Sequence, residues 1–226
     1  MRYEIFGDNL PAVTIYLDKG ESIYTQSGGM IWMTSDISME TNMKGGLMKG
    51  LGRMISGDSL FMATYTAMSH GQELTLGSSF PGHIAALDIT GNSYICQKSA
   101  FLGAQTGVGL KVTVPKGLKA GLFGGEGFIM QSVSGTGYVF LEFDGSVKEL
   151  DLAPGEKLIV DTGNVAAYEE RVKYSAEMVK GFANVLFGGE GLFLTTLEGP
   201  GKVYLQTMTM PSFVERIAPY IPKKNN

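Results

Sequence analysis

The hexapeptide Leu122-Phe123-Gly124-Gly125-Glu126-Gly127 recurs as Leu186-Phe187-Gly188-Gly189-Glu190-Gly191, at an offset of 64 residues. The same offset pairs Gly135 with Gly199, Gly137 with Gly201, Val139 with Val203, Phe140 with Tyr204 and Leu141 with Leu205. Matches held in one gapless register point to duplication of a structural unit. Each copy reads as a Gly-rich entry, an acidic residue, an apolar strand, a Gly-x-Gly turn and a second apolar strand. A fainter third copy runs from Ser56-Gly57-Asp58-Ser59-Leu60-Phe61-Met62 through a turn near Gly71 to Leu74–Leu76, after a two-residue indel. The expectation is a single domain over residues 1–226 with internal hairpin repeats, at about 56–80, 121–145 and 185–209.

Most of the chain alternates with period two. In Tyr138–Phe143 the residues Val139, Leu141 and Phe143 fall on one side and Tyr138, Phe140 and Glu142 on the other. That pattern predicts a strand with one face in a core. Similar runs occur at Ala12–Leu17, Leu60–Thr66, Glu73–Leu76, Ile84–Asp88, Lys111–Val114, Phe128–Val133, Lys157–Asp161, Leu192–Leu197 and Lys202–Thr207. The 32 glycines collect in the turns between them rather than in a collagen-like period. Many short strands with regular turn signals predict an all-β sandwich or barrel. Met43–Ile55 is expected as a short helix or an ordered loop, and Ser175–Leu186 and Phe213–Tyr220 as further short helices.

Composition narrows the function classes. Cys96 is the only cysteine, which excludes an intramolecular disulfide and a multi-thiolate metal site within one chain. The net charge is −4, and no basic run is longer than Lys223-Lys224. Nucleic acid, whose phosphates need a basic surface, is therefore a disfavoured partner. The first residues carry no apolar signal region. No apolar stretch reaches the roughly 18 residues of a membrane span. A cytoplasmic protein is expected.

The motifs and their order resemble a known family. They are Gly50-Leu51-Gly52-Arg53-Met54 leading to Ser56–Phe61, Ile95-Cys96-Gln97-Lys98-Ser99-Ala100-Phe101-Leu102, and the two Gly-Gly-Glu-Gly units. Ala153-Pro154-Gly155-Glu156, Val160-Asp161-Thr162-Gly163 and Gly199-Pro200-Gly201-Lys202-Val203-Tyr204-Leu205-Gln206 complete the set. Together they resemble the conserved prokaryotic and mitochondrial proteins named for altered inheritance of mitochondria. The resemblance implies a β-sandwich of double-stranded β-helix type, similar to the tryptophan-RNA-binding attenuation protein. It also implies a homotrimer and no enzyme activity or cofactor. In the mitochondrial branch the family is linked to inner-membrane organisation. Asn164 stands where many members are expected to carry histidine.

Each candidate for chemistry has a plainer structural reading beside it. Asp58, Glu126 and Glu190 would form an oxygen-rich cation site if the repeats brought them together. Otherwise their carboxylates accept backbone N–H bonds at strand starts. The Asp161-Thr162-Gly163 triplet matches half of an aspartic-protease dyad, but it occurs once and the dyad needs two. Asp161 then bonds local backbone amides in a turn. His70 and His83 are the only histidines, too few for a metal-binding β-helix enzyme unless they converge with a carboxylate. Cys96 would share a strand face with Lys98, which lowers a thiol pKa if it is close. A buried apolar cysteine is the alternative. The segment Met43–Ile55 carries Lys44, Lys49 and Arg53 with Met48, Leu51 and Ile55, and no acid. It fits an anionic membrane surface or a protein groove, or a helix or loop closing one end of the sandwich. The preferred reading is a non-enzymatic oligomeric scaffold or binding module. The alternative is a small-ligand or cation site, or an active site, lined by carboxylates at a subunit interface.

Overall fold

The computed structural model describes residues 1–26, 28–41, 55–56, 62–113, 129–178 and 193–222. The first third of the chain forms β1 (Arg2–Phe6), β2 (Ala12–Leu17), β3 (Ser22–Gln26), β4 (Met30–Met33), β5 (Ile37–Thr41), β6 (Ile55–Ser56), β7 (Met62–Ala67) and β8 (Gln72–Gly77). The middle third forms β9 (Gly82–Asp88), β10 (Tyr94–Gln97), β11 (Phe101–Gln105), β12 (Val108–Thr113), β13 (Met130–Gly135) and β14 (Tyr138–Asp144). The last third forms β15 (Val147–Leu152), β16 (Lys157–Asp161), β17 (Val165–Glu169), β18 (Lys173–Met178), β19 (Phe193–Glu198) and β20 (Gly201–Gln206), followed by helix α1 (Met210–Ile217). The protein is all-β.

Among the described residues the strands make four sheets with the orders β1-β2-β8-β4, β5-β7-β3-β11-β14-β9, β15-β20-β17-β10-β13-β12-β6 and β16-β19-β18. Pairing among the described residues is antiparallel except where β6 runs parallel to β12. Three cores lie between successive sheets. The first, with Val13, Ile15, Leu74, Tyr65 and Phe140, is closed between the four- and six-stranded sheets. The middle core holds Tyr24, Phe101, Leu141, Cys96, Val133 and Tyr204, from the six- and seven-stranded sheets. The third holds Ile95, Leu152, Val165, Tyr168, Leu197 and Val203, from the seven- and three-stranded sheets.

This layering changes the meaning of the alternation in β14. Val139, Leu141 and Phe143 do share a face, in the middle core. The opposite face is not solvent: Phe140 is fully buried and lies in the first core, with Tyr138 against it. The glycine turns also work differently from the expected hairpins. The strands on either side of Gly135-Thr136-Gly137 do not pair with each other. β13 lies in the seven-stranded sheet and β14 in the six-stranded one. β19 and β20 are divided in the same way, as are β7 and β8. Each such turn carries the chain across a core.

Two helix expectations fail where they can be compared. Ile55 ends the expected first helix but lies in β6, and Ser175 to Met178 belong to β18, paired with β19. The rest of both segments lies outside the described residues. The third is met by α1, continued by a single 3-10 turn at Ala218–Tyr220. Thr209 caps it, its hydroxyl accepting the Ser212 N–H at 3.3 Å, with proline in the first turn. Phe213 anchors it edge-to-face on Phe80, with ring centroids 4.8 Å apart.

Candidate functional site

The turn between β9 and β10 sits beside the turn between β17 and β18. Gly91, at φ +80°, lets the first of these fold back sharply. Together with Gly135 they leave a cleft of about 510 Å³ lined by Gly91, Asn92, Ser93, Gly135, Glu170 and Arg171. Beneath it lies the carboxylate of Glu169, which is 3% exposed.

Glu169 is heavily bonded. Its Oε1 accepts from Asn92 Nδ2 at 2.7 Å. Its Oε2 accepts from Arg171 Nε and Nη2, both at 2.6 Å, and from the Lys202 N–H at 3.1 Å. Burial alone would raise its pKa. The donors from Asn92, the Lys202 amide and Arg171 outweigh that, and the carboxyl is held below its ordinary value. A carboxylate so engaged, with its pKa lowered, is a poor proton acceptor at neutral pH. It fixes the Arg171 side chain, itself largely exposed, at the cleft wall.

The other candidates are dispersed. Cys96 is fully buried, and burial pushes its thiol up to about 12. Gln131 Nε2 lies 3.7 Å from its Sγ. Lys98 falls beyond the end of β10, in a 3-10 turn, so it does not share a strand face with the thiol. Asp161 is exposed and accepts the Gly163 N–H at 3.0 Å, closing a local turn. Asn164 donates from Nδ2 to the Gln206 carbonyl at 2.7 Å. His70 pairs with Asp18 at 3.1 Å on the surface, while His83 is exposed on β9. Among the described residues no three His, Cys, Asp or Glu side chains form a metal-holding group. Asp58, Glu126 and Glu190 lie outside the described residues, as do Lys44, Met48, Lys49, Leu51 and Arg53. The Glu169–Asn92 pair gave no sequence signal, because its members are 77 positions apart and belong to no motif.

Comparison with known proteins agrees with the motif order. The sequence model of the family described as "Mitochondrial biogenesis AIM24" matches residues 3–208. The chain belongs to this family. A relative, an uncharacterised protein of Streptococcus pyogenes serotype M6, is 32% identical across 96% of this chain and 89% of its own length. The crystal structure of protein SPYM3_0169 from Streptococcus pyogenes superposes with a TM-score of 0.78 at 28% identity, covering 97% of this chain and 99% of that one. No described helix of this AIM24-family chain is long and apolar enough to cross a membrane.

Proposed function

We propose that the protein is a non-catalytic, oligomeric scaffold built from three side-by-side copies of one six-strand unit, assembled as a homotrimer. The observation that carries this reading is a strand order that recurs three times. The units are β2–β5 with β7 and β8, then β9–β14, then β15–β20. In each, the sixth strand lies between the first and third, and the fifth between the second and fourth. The third strand bulges at the same place every time. The irregularity falls between Met30 and Trp32, between Phe101 and Gly103, and between Val165 and Ala167. These bulges lie beside the pairings of Leu76, Leu141 and Leu205.

One side-chain bond recurs as well. The N–H near the start of the sixth strand is accepted by Thr34 Oγ1 from Glu73, by Gln105 Oε1 from Tyr138 and by Glu169 Oε2 from Lys202. Carboxylates are used in the same architectural way. Glu142 accepts from Ser78 and Ser79, and Glu156 accepts the Ala153 N–H at 2.8 Å. Two facing sheets around each core fit the sandwich that the attenuation-protein resemblance implies.

In this reading the cationic segment with Lys44, Met48, Lys49, Leu51 and Arg53 is the contact for a protein partner or an anionic membrane surface. Native mass spectrometry tests the assembly, with a species of three times 24.2 kDa expected. A chain that stays at 24.2 kDa at every concentration would refute the oligomer. Flotation with anionic liposomes at low salt tests the membrane contact. Binding that is unchanged when Lys44, Lys49 and Arg53 are all replaced by glutamate removes that segment from it.

A further inference from the structure

The side-chain acceptor at the start of each unit's sixth strand is neutral twice and charged once. Thr34 Oγ1 takes the Glu73 N–H and Gln105 Oε1 the Tyr138 N–H, while Glu169 Oε2 takes the Lys202 N–H. The sheet needs only an oxygen there. A carboxylate that is 3% exposed is a costly way to supply it, because a buried charge must be paired. The 64-residue register carries the departure further. Gln105-Thr106-Gly107 in the second unit corresponds to Glu169-Glu170-Arg171 in the third. A neutral turn is replaced by three consecutive charges, and they stand at the cleft beside Asn92 and Ser93 of the second unit.

Two of these charges keep unused bonding capacity on the cleft side. Glu169 occupies one edge of the Arg171 guanidinium, through Nε and Nη2. A guanidinium has five N–H donors. Among the described residues Nη1 makes no bond, so the end-on fork of Nη1 and the second Nη2 proton is left over. That fork is the geometry that takes a carboxylate through two parallel bonds. Glu170 lines the same cleft, and its carboxylate has no hydrogen bond or ion pair among the described residues. Its backbone N–H donates to the Ser93 carbonyl at 2.9 Å, which ties the two turns together. The Ser93 hydroxyl is likewise without a partner among the described residues and lines the cleft. Gly91 has nothing within 4 Å of where a Cβ would stand, so the cleft is open on that side.

Resting on the three-unit reading for what is repeated and what departs, we propose that this cleft binds a small zwitterion of the α-amino-acid class. The ligand carboxylate lies on the free fork of Arg171, with the Ser93 hydroxyl donating to it, and the ligand ammonium lies on Glu170. Glu169 already neutralises Arg171, and Glu170 adds a negative charge, so a plain anion meets no net positive field. A ligand carrying both charges satisfies both groups. The Arg171 side chain is ordered by Glu169 before any ligand arrives, which lowers the entropic cost of binding. The cleft, at about 510 Å³, has the size of an ordinary small-molecule site and leaves room for a ligand side chain. At the corresponding turn of the second unit, Thr106 and Gly107 offer neither charge, so a single site per chain is expected.

Isothermal titration calorimetry on the full chain tests this, with the free standard amino acids as probes. Each is run beside the acid that lacks its ammonium and the amine that lacks its carboxylate. The zwitterion is expected to bind at a single site per chain, and each half-ligand roughly 10-fold or more weakly. Arg171→Lys keeps the charge and loses the fork, and should weaken zwitterion binding roughly 10-fold. Glu170→Gln leaves the bonds of Glu169 whole, so it reads binding even where Arg171→Lys disturbs the fold. It should weaken the zwitterion by a similar factor while the ammonium-free acid binds no worse than before. No binding of any amino acid by about 10 mM overturns the proposal, as does binding that neither substitution changes. An ammonium-free acid that binds wild type as tightly as its parent overturns the zwitterion and the role of Glu170. Native mass spectrometry reads the assembly separately, so failure of the ligand site leaves the scaffold reading standing.

Discussion

Replacing Glu169 with glutamine keeps the side chain's shape and removes its charge. The carboxylate receives four N–H donors from Asn92, Arg171 and Lys202. The amide has one oxygen, so its NH₂ must face one set of those donors. Asn92 cannot turn to meet it without cost, because its Oδ1 already accepts the Ser93 N–H at 2.9 Å. At least one part-buried donor loses its partner, a cost of about 1–3 kcal/mol. The lost attraction to Arg171, whose side chain is 61% exposed, adds only about 0–1 kcal/mol in solvent. The expected total is about 1–4 kcal/mol. For a chain of this size that lowers the melting temperature by roughly 2–15 °C.

Differential scanning calorimetry at neutral pH measures this directly, and a pH series checks the cause. The folded carboxyl lies below its ordinary value. Its contribution is therefore complete above the unfolded pKa of about 4.3 and is lost as pH falls through the folded value. The gap between wild type and E169Q should shrink as pH drops below about 4. A melting point within about 1 °C of wild type at neutral pH would refute this account of the network. A gap that stays constant into acid would refute its electrostatic part.

Two further outcomes follow from the turns and the core. Gly201 has φ +140°, and an added Cβ would meet Glu169 Oε2 at 2.8 Å, so G201A should cost about 1–3 kcal/mol in chemical denaturation. G155A, also at positive φ but with open space around its Cβ, should cost less, and equal losses would deny the steric part. Cys96, buried with its thiol pushed up to about 12, should resist a thiol-specific reagent at pH 8 in the native protein and react fully in denaturant. Rapid native labelling would contradict its place in the middle core.

Much of the strand content was legible because half-buried strands alternate. Ala12–Leu17 and Lys157–Asp161 match β2 and β16 residue for residue, and Tyr138–Phe143 stops one short of the end of β14. Two of the strands that escaped notice lack that pattern. Phe101–Gln105 and Val165–Glu169 are buried on nearly every side chain, because a core lies against both faces. With no polar face there is no period to read. The helical reading of Ser175–Met178 failed for a related reason. The segment's only contrast with its neighbours is tertiary, in its pairing with β19.

The sequence by itself determined that strands would recur and where several of the turns would fall. Its glycines explain why. Gly137 and Gly201 sit at φ +116° and +140°, each with the acceptor of Gln105 or Glu169 where a Cβ would be. Only a residue without a side chain fits both demands. What the tertiary structure alone decided is where each turn sends the chain. Hydrogen bonding between strands is non-local, and a Gly-x-Gly turn serves a hairpin or a crossing equally well. Here it crosses, so the strands on either side of it lie in different sheets across a core. The same non-local pairing brings Asn92 to Glu169 and leaves β4 and β16 as open edges among the described residues.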